Sequence, residues 1–187
     1  MKVKFIISLL SIVTLSAPFT TAFAAEQIVS HKQAATTESR KDGAILEWLI
    51  VLNKNEIGAA NEAVKRKLDP MVEDYARLML KEHGKNLQET LKVGRAIHIK
   101  PISAQSAMEL KKQGQQDLAE LKPMDDKAFQ KKYIDAMVKG HTDALEVIKS
   151  DISEVHNAAL KTQLKVTEKH VKMHLEKAEA IQEKLGS

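Results

Sequence analysis

Four polar residues lie within the apolar stripes of four predicted helices, each close to the middle of its helix. They are Glu56, His83, His141 and His174. Imidazole nitrogens and carboxylate oxygens are ligands for transition metals, and a charged carboxylate in an apolar core is costly unless it is paired or bound to a metal. Because each residue lies about 10 or 11 positions before the end of its helix, we expect the four side chains to meet at one height.

These residues predict a metal site for Zn, Fe, Mn or Cu, with Glu56 as an oxygen ligand and the histidines as nitrogen ligands. His170 precedes His174 by one helical turn and is a further candidate ligand, since two histidines at this spacing can bind one metal from a single helix. The alternative is a structural layer in which the carboxylate and the imidazoles hydrogen-bond to one another and fix helix register. The sequence leaves both interpretations open.

A ferritin-type di-iron centre is disfavoured because it needs more carboxylates than this pattern supplies. Such centres use two Glu and two Glu-x-x-His motifs. The positions three residues before the helical histidines hold Leu80, Val138, Thr167 and Val171. No Ser-His-Asp arrangement, phosphate loop or nucleotide motif occurs in the sequence either. We therefore favour a non-enzymatic protein, while an oxidoreductase would require a bound metal with an open coordination position.

The apolar stripes that hold these residues predict an all-α fold, since residues recur at steps of three and four and the period-two alternation of strands is nearly absent. The expected helix N-caps are Asp42, Asp69 before Pro70, and either Asn157 or Ser153. The pattern predicts a ferritin-like four-helix bundle with an extra helical connector between helices two and three, of either up-down or crossover topology. The predicted helices cover residues 42–67, 70–94, 124–151 and 157–185, with the connector helix at 104–121.

The N-terminal region predicts export. Residues 1–24 combine two early lysines, an apolar run and an Ala-Phe-Ala cleavage signal ending at Ala24, which is typical of a secretory signal peptide. An uncleaved, tilted anchor is the alternative. Residues 25–41 are polar without a sustained period and are interpreted as a flexible tether. The bundle domain then covers 42–187, and the mature chain is expected in the periplasm or outside the cell.

Composition excludes several classes of function. The chain has no cysteine, so disulfides, thiolate ligands and thiol nucleophiles are absent from it. The formal net charge is +4, and cleavage of the predicted signal peptide would lower it to +2 because two lysines are removed. This balance, together with few aromatic residues, argues against nucleic-acid binding. After the N-terminal run, no further apolar stretch of membrane-spanning length follows.

Four blocks of residues carry a resemblance to a known family. They are Glu56-Ile57 with Ala59, Ala60 and Ala63; Val72, Tyr75-Ala76, Met79 and Glu82-His83; Phe129, Tyr133, Met137-Val138 and His141; and His174-Leu175 with Ala178. Over about residues 44–185 the chain resembles the bacterial exported family called domain of unknown function 4142, which implies a ferritin-like bundle and leaves the role unsettled. It departs from that family at Glu82, where Asp is usual, at Glu168-Lys169, which replace a proline, and at His170.

Two hypotheses of function follow. The first is a periplasmic helical-bundle protein with a central Glu/His metal site, connected with metal handling or envelope stress. The alternative is an envelope protein-protein interaction module whose buried polar layer is purely structural, suggested by the polar tether and the connector helix. The sequence identifies neither the partner nor the oligomeric state.

Overall fold

The computed structural model describes residues 19–186 of the 187-residue chain. The chain divides into two units, Met1–Ala35 and Thr36–Ser187, and the second holds the bundle described below. The described residues form five α-helices, which are α1 Phe19–Ala63, α2 Pro70–Ala96, α3 Gln105–Leu121, α4 Asp126–Glu154 and α5 Ala158–Gly186. The predicted signal peptide lies largely outside the described residues.

Helix α1 begins earlier than predicted. It already includes residues 25–41, because Ala, Gln, Glu, Lys and Arg are frequent there and are strong helix formers even without an apolar stripe. Asp42 is therefore not an N-cap of α1. Its buried carboxylate instead accepts hydrogen bonds from the backbone N–H groups of His156 (3.0 Å) and Asn157 (2.9 Å), in the turn between α4 and α5. The division into leader, tether and bundle domain stays a prediction.

The other helix starts follow the sequence signals closely. Asp69 accepts a 2.8 Å hydrogen bond from the N–H of Met71, and Pro70 occupies the first position of α2. Asn157 accepts a 2.9 Å hydrogen bond from the N–H of Ala159 at the start of α5. These two N-caps are confirmed, with Asn157 chosen over Ser153.

Two apolar clusters form the core of the bundle. The first core is built around Leu49 and Leu164, and the second core around Tyr133 and Met79. Helices α1, α3 and α5 run from the first core to the second, and α2 and α4 run the opposite way. Each helix places one residue in the first core and another in the second core. In the order α1 to α5, with the first-core residue named first, these pairs are Leu46 and Ala63, Leu91 and Val72, Ala107 and Leu121, Ile148 and Phe129, and Leu160 and Ala178.

This order of directions makes α3 a crossover connection. Helix α2 ends beside the first core and α4 begins beside the second, so α3 returns along the length of the bundle between them. The all-α class and the ferritin-like bundle with a helical connector are confirmed, and of the two topologies left open the crossover is the one observed.

Helix α3 lies very close to α1 where Gly114 faces Asn55. A Cβ atom on Gly114 would lie only 2.3–2.5 Å from the amide group of Asn55. That amide donates a 2.8 Å hydrogen bond to the backbone carbonyl of Leu110. A side chain at 114 would therefore displace the Asn55 amide and break this hydrogen bond between α1 and α3. None of the described helices is long and apolar enough to cross a membrane.

Candidate functional site

A buried polar layer separates the two cores. Helices α1, α2, α4 and α5 each contribute one residue to it, namely Glu56, His83, His141 and His174. Only 6% of Glu56 is accessible to solvent, and the three histidines are 1–2% accessible. The predicted stripes therefore bring all four polar residues into the interior, as expected from their shared height in the helices.

The three histidines lie side by side. One ring nitrogen of each lies within 4.8 Å of the corresponding nitrogens of the other two. The ring centroids are 5.0 Å apart for His83 and His174, 5.5 Å for His141 and His174, and 5.8 Å for His83 and His141. We call this group the histidine centre. Three imidazole nitrogens at this separation can hold one transition-metal ion.

Two further candidate ligands lie outside the histidine centre. His170 is partly buried, and its ring centroid is 6.4 Å from that of His174. The carboxylate of Glu56 lies beside the centre, because its Oε1 is 3.8 Å from the place where a Cβ on Gly140 would be, next to His141. Of the five predicted ligands, the structure thus brings three together and places Glu56 alongside them.

Two of the histidines each donate one ring N–H to a group that can only accept. His141 Nδ1 lies 2.8 Å from the backbone carbonyl oxygen of Met137. His174 Nε2 lies 2.8 Å from Oε2 of Glu82, whose side chain is 25% exposed. A carbonyl or carboxylate oxygen forces the hydrogen onto the facing nitrogen, so Nε2 of His141 and Nδ1 of His174 carry lone pairs when the rings are neutral.

The tautomer of His83 is fixed through Asn53. The Nδ2 group of Asn53 donates a 2.7 Å hydrogen bond to the backbone carbonyl of Leu49. Its Oδ1 therefore faces Nδ1 of His83, at a distance of 3.1 Å. That Oδ1 also accepts a 3.1 Å hydrogen bond from Nδ2 of Asn86. His83 must therefore donate from Nδ1, which leaves its Nε2 with a lone pair.

The three remaining nitrogens are Nε2 of His83, Nε2 of His141 and Nδ1 of His174, and we call them the open nitrogens. Each is buried and has no hydrogen-bond partner within the described part of the chain. Burial, followed by the neighbouring histidines, holds the pKa of His83 well below its usual value. Burial also lowers the pKa of His174 to about 4, although the hydrogen bond that His174 donates to Glu82 opposes this shift. Both rings are neutral near pH 7, the form that binds metals.

An amide ladder continues from the histidine centre toward the first core. Oδ1 of Asn86 accepts hydrogen bonds from Nε2 of Gln163 (2.6 Å) and from the hydroxyl of Thr167 (3.1 Å). Nε2 of Gln163 also reaches the hydroxyl of Thr90 at 3.3 Å. All members of this ladder are buried. Together with Asn53 they fix the orientation of the amide groups that set the tautomer of His83.

On the opposite side, Glu56 faces the second core and two tyrosines. Burial raises the pKa of Glu56, which nearby His141 opposes. Burial and then the Glu56 carboxylate raise the pKa of both Tyr75 and Tyr133. The hydroxyl of Tyr75 donates a 3.3 Å hydrogen bond to the backbone carbonyl of His174. Glu56 Oε2 and the Tyr133 hydroxyl have no such partner among the described residues, and we call these two atoms the open oxygens.

Sequence reasoning missed Asn53, Asn86, Glu82 and Tyr133 as parts of this site. Asn53 and Asn86 lie one turn from Glu56 and His83 along their helices, a signal that could have been used. Glu82 and Tyr133 entered only through the family resemblance, so nothing in their spacing indicated a link to a histidine or to Glu56.

Comparison with known proteins agrees with the fold and leaves the chemistry open. No curated protein matches the chain. A crystal structure of a Streptomyces coelicolor protein described as a secreted DUF305 protein is similar with a TM-score of 0.67 and 12% identity, over 79% of this chain and 94% of that one. At this identity the likeness concerns the fold alone. The domain of unknown function DUF4142 matches residues 27–181, and the chain therefore belongs to the DUF4142 family.

Proposed function

We propose that this protein is an exported helical-bundle protein that binds one transition-metal ion through His83, His141 and His174. The observation that carries the proposal is a group of three buried histidines close enough to hold one ion, each with one nitrogen that has no hydrogen-bond partner among the described residues. Each of the three imidazoles uses its other nitrogen for a hydrogen bond. Outer hydrogen bonds of this kind orient the histidines of metal sites.

A purely structural polar layer explains the same residues less well. Buried polar groups that serve only stability are normally hydrogen-bonded, since an unsatisfied buried group costs about 1–3 kcal/mol. The amide ladder follows this rule and the histidine centre does not. A cation bound among the three histidines would supply the partner that their open nitrogens lack.

The ligand set suggests which ions to test. Imidazole nitrogens suit Zn, Cu and Fe, whereas Mn prefers oxygen ligands, which only Glu56 could provide here. With one carboxylate beside three histidines, the site differs from a ferritin-type di-iron centre. We therefore infer metal binding or metal handling as the role, in preference to ferroxidase chemistry.

Export is the second part of the proposal. The signal-peptide features of residues 1–24 support it, as does the structural likeness to a protein described as secreted. We expect cleavage after Ala24. The mass of the protein recovered from the exported fraction tests this, since a retained leader would leave the full-length mass.

The metal is tested on untagged protein expressed with its own leader. Bound metal is measured by elemental mass spectrometry before and after loading with Zn, Cu, Fe or Mn. We expect about one equivalent of at least one metal, and its loss in His83→Ala. His170→Ala is the matched control, because it removes a histidine outside the centre. Absence of bound metal under every loading condition would refute the proposal.

A further inference from the structure

The open oxygens, Glu56 Oε2 and the Tyr133 hydroxyl, are buried and belong to no hydrogen bond of the described residues. Glu56 is 6% accessible and Tyr133 is fully buried. Their side chains interact electrostatically, and Glu56 in turn interacts with His141. An unpartnered carboxylate oxygen thus lies near Gly140 and His141, and an unpartnered phenol lies in the second core.

The neighbouring Tyr75 shows that burial alone does not leave a phenol without a partner. The rings of Tyr75 and Tyr133 are 6.3 Å apart, and both hydroxyls are buried. Tyr75 uses its hydroxyl to hydrogen-bond the backbone of His174. Of these two hydroxyls, that of Tyr133 is the one without a hydrogen-bond partner among the described residues.

The chemistry of the open oxygens fits a small protic ligand. A carboxylate accepts hydrogen bonds, and a phenol both donates and accepts. A buried water molecule needs two to four polar partners, which these two groups and a metal ion would supply. Three histidines also leave at least one coordination position of a transition metal for an exogenous ligand.

We propose that Glu56 and Tyr133 form a small-ligand subsite beside the histidine centre, which takes a water molecule on the remaining coordination position of the metal. This inference rests on the proposed metal site. With a metal bound, Glu56 would contact the water molecule and would not itself be a ligand. The water exchanges with other small ligands, so the site is an open one.

Pulsed electron paramagnetic resonance of the Cu(II)-loaded protein in oxygen-17-enriched water detects such a molecule directly, because only water exchanges the label. We expect an oxygen-17 coupling in the wild-type protein. Bound Cu(II) without this coupling would overturn the subsite and leave the metal site standing. Failure to bind Cu(II) or any other metal would instead refute the proposed function.

Azide binding to the Cu(II)-loaded protein tests the role of Tyr133. Tyr133→Phe removes a donor, so the dissociation constant for azide should rise by about fivefold or more. Tyr75→Phe is the matched control and should change it by less than about twofold. Equal metal stoichiometry and helical circular dichroism establish that the variants are folded. An azide affinity unchanged in Tyr133→Phe would overturn the assignment.

Discussion

The amide ladder and the histidine centre are adjacent, equally buried and made of similar polar groups, yet they differ in hydrogen bonding. Every side chain of the ladder, from Asn53 to Thr167, has a polar partner. In the centre, each histidine has a partner at one nitrogen and an open nitrogen at the other. We interpret the ladder as polar groups that hold the fold, and the centre as polar groups that would bind the proposed metal.

The two regions are also connected. Asn53 belongs to the ladder and sets the tautomer of His83. A fully satisfied network therefore supports a partly unsatisfied one, which is the arrangement expected when stability is given up locally for binding. Variants in each region should consequently have different effects, on stability for the ladder and on metal binding for the centre.

The largest effect is expected when two ligands are removed together. His83→Ala/His141→Ala should lower metal affinity by about a thousandfold or more, roughly 4 kcal/mol, because one histidine cannot hold the ion. Competition with a chromophoric chelator measures this. His170→Ala should stay within about threefold of wild type. If the double variant and wild type bind metal equally well, the centre is not the site.

Breaking the ladder should reduce stability next most strongly. Asn86→Leu leaves Gln163 without its closest partner and removes one donor to Asn53, so the free energy of unfolding should fall by about 3 kcal/mol. Urea denaturation of the metal-free protein measures this. The exposed Asn61, changed to Leu on α1, is the control and should cost less than about 0.5 kcal/mol. Equal losses in the two variants would contradict a role for the ladder.

Glu82→Gln should affect the centre without affecting the fold. The partly exposed carboxylate of Glu82 accepts a hydrogen bond from Nε2–H of His174. Its loss should weaken metal binding about tenfold, since outer partners of metal ligands typically contribute 10–100-fold, while the urea midpoint stays nearly constant. Glu89→Gln, an exposed carboxylate of the same helix, serves as the control. The assignment would be wrong if both variants bound metal equally.

The smallest effect concerns the pH dependence of stability. The pKa values of His83 and His174 are lowered in the folded protein, so below about pH 6.5 the unfolded chain binds protons that the folded one does not. These histidines therefore reduce stability as the pH falls from 6.5 toward 4. The raised pKa of Glu56 acts in the opposite direction, because the folded protein takes up that proton first.

Glu56→Gln removes the opposing contribution. Between pH 7.5 and pH 5 the metal-free variant should consequently lose about 1 kcal/mol more unfolding free energy than wild type. Urea titrations at the two pH values in the presence of a chelator measure the difference. Parallel losses in the two proteins would show that the carboxyl group of Glu56 does not titrate differently on folding.

Much of this architecture follows from local sequence signals. The Asp69-Pro70 cap, the Asn157 cap and the apolar stripes predict helices α2 to α5 to within a few residues, because hydrogen-bonding and periodicity act locally. The predicted start of α1 was wrong. The polar residues 25–41 have no amphipathic stripe, and they form a helix because of their intrinsic helix propensity. The role of Gly114 was not predicted either, because it depends on close contact between two helices that are far apart in the sequence.

The site was partly predictable for the same reason. The histidines and Glu56 interrupt the apolar stripes of their helices, and such an interruption can be recognised from the sequence of a single helix. The Glu82 contact with His174 and the Asn53 contact with His83 depend on rotation of one helix against another and on side-chain direction. These features fix which nitrogen of each ring is open, so the tautomers that determine ligand binding required the structure.

The crossover topology divides the histidine centre between two halves of the chain. Helices α1 and α2 form one hairpin and α4 and α5 another, with His83 in the first and the other two histidines in the second. A bound ion would act as a reversible cross-link between the hairpins, adding about 2.7 kcal/mol at one hundred times its dissociation constant. The supply of metal in the surroundings would then determine how often the halves separate, and so how long the protein survives proteases.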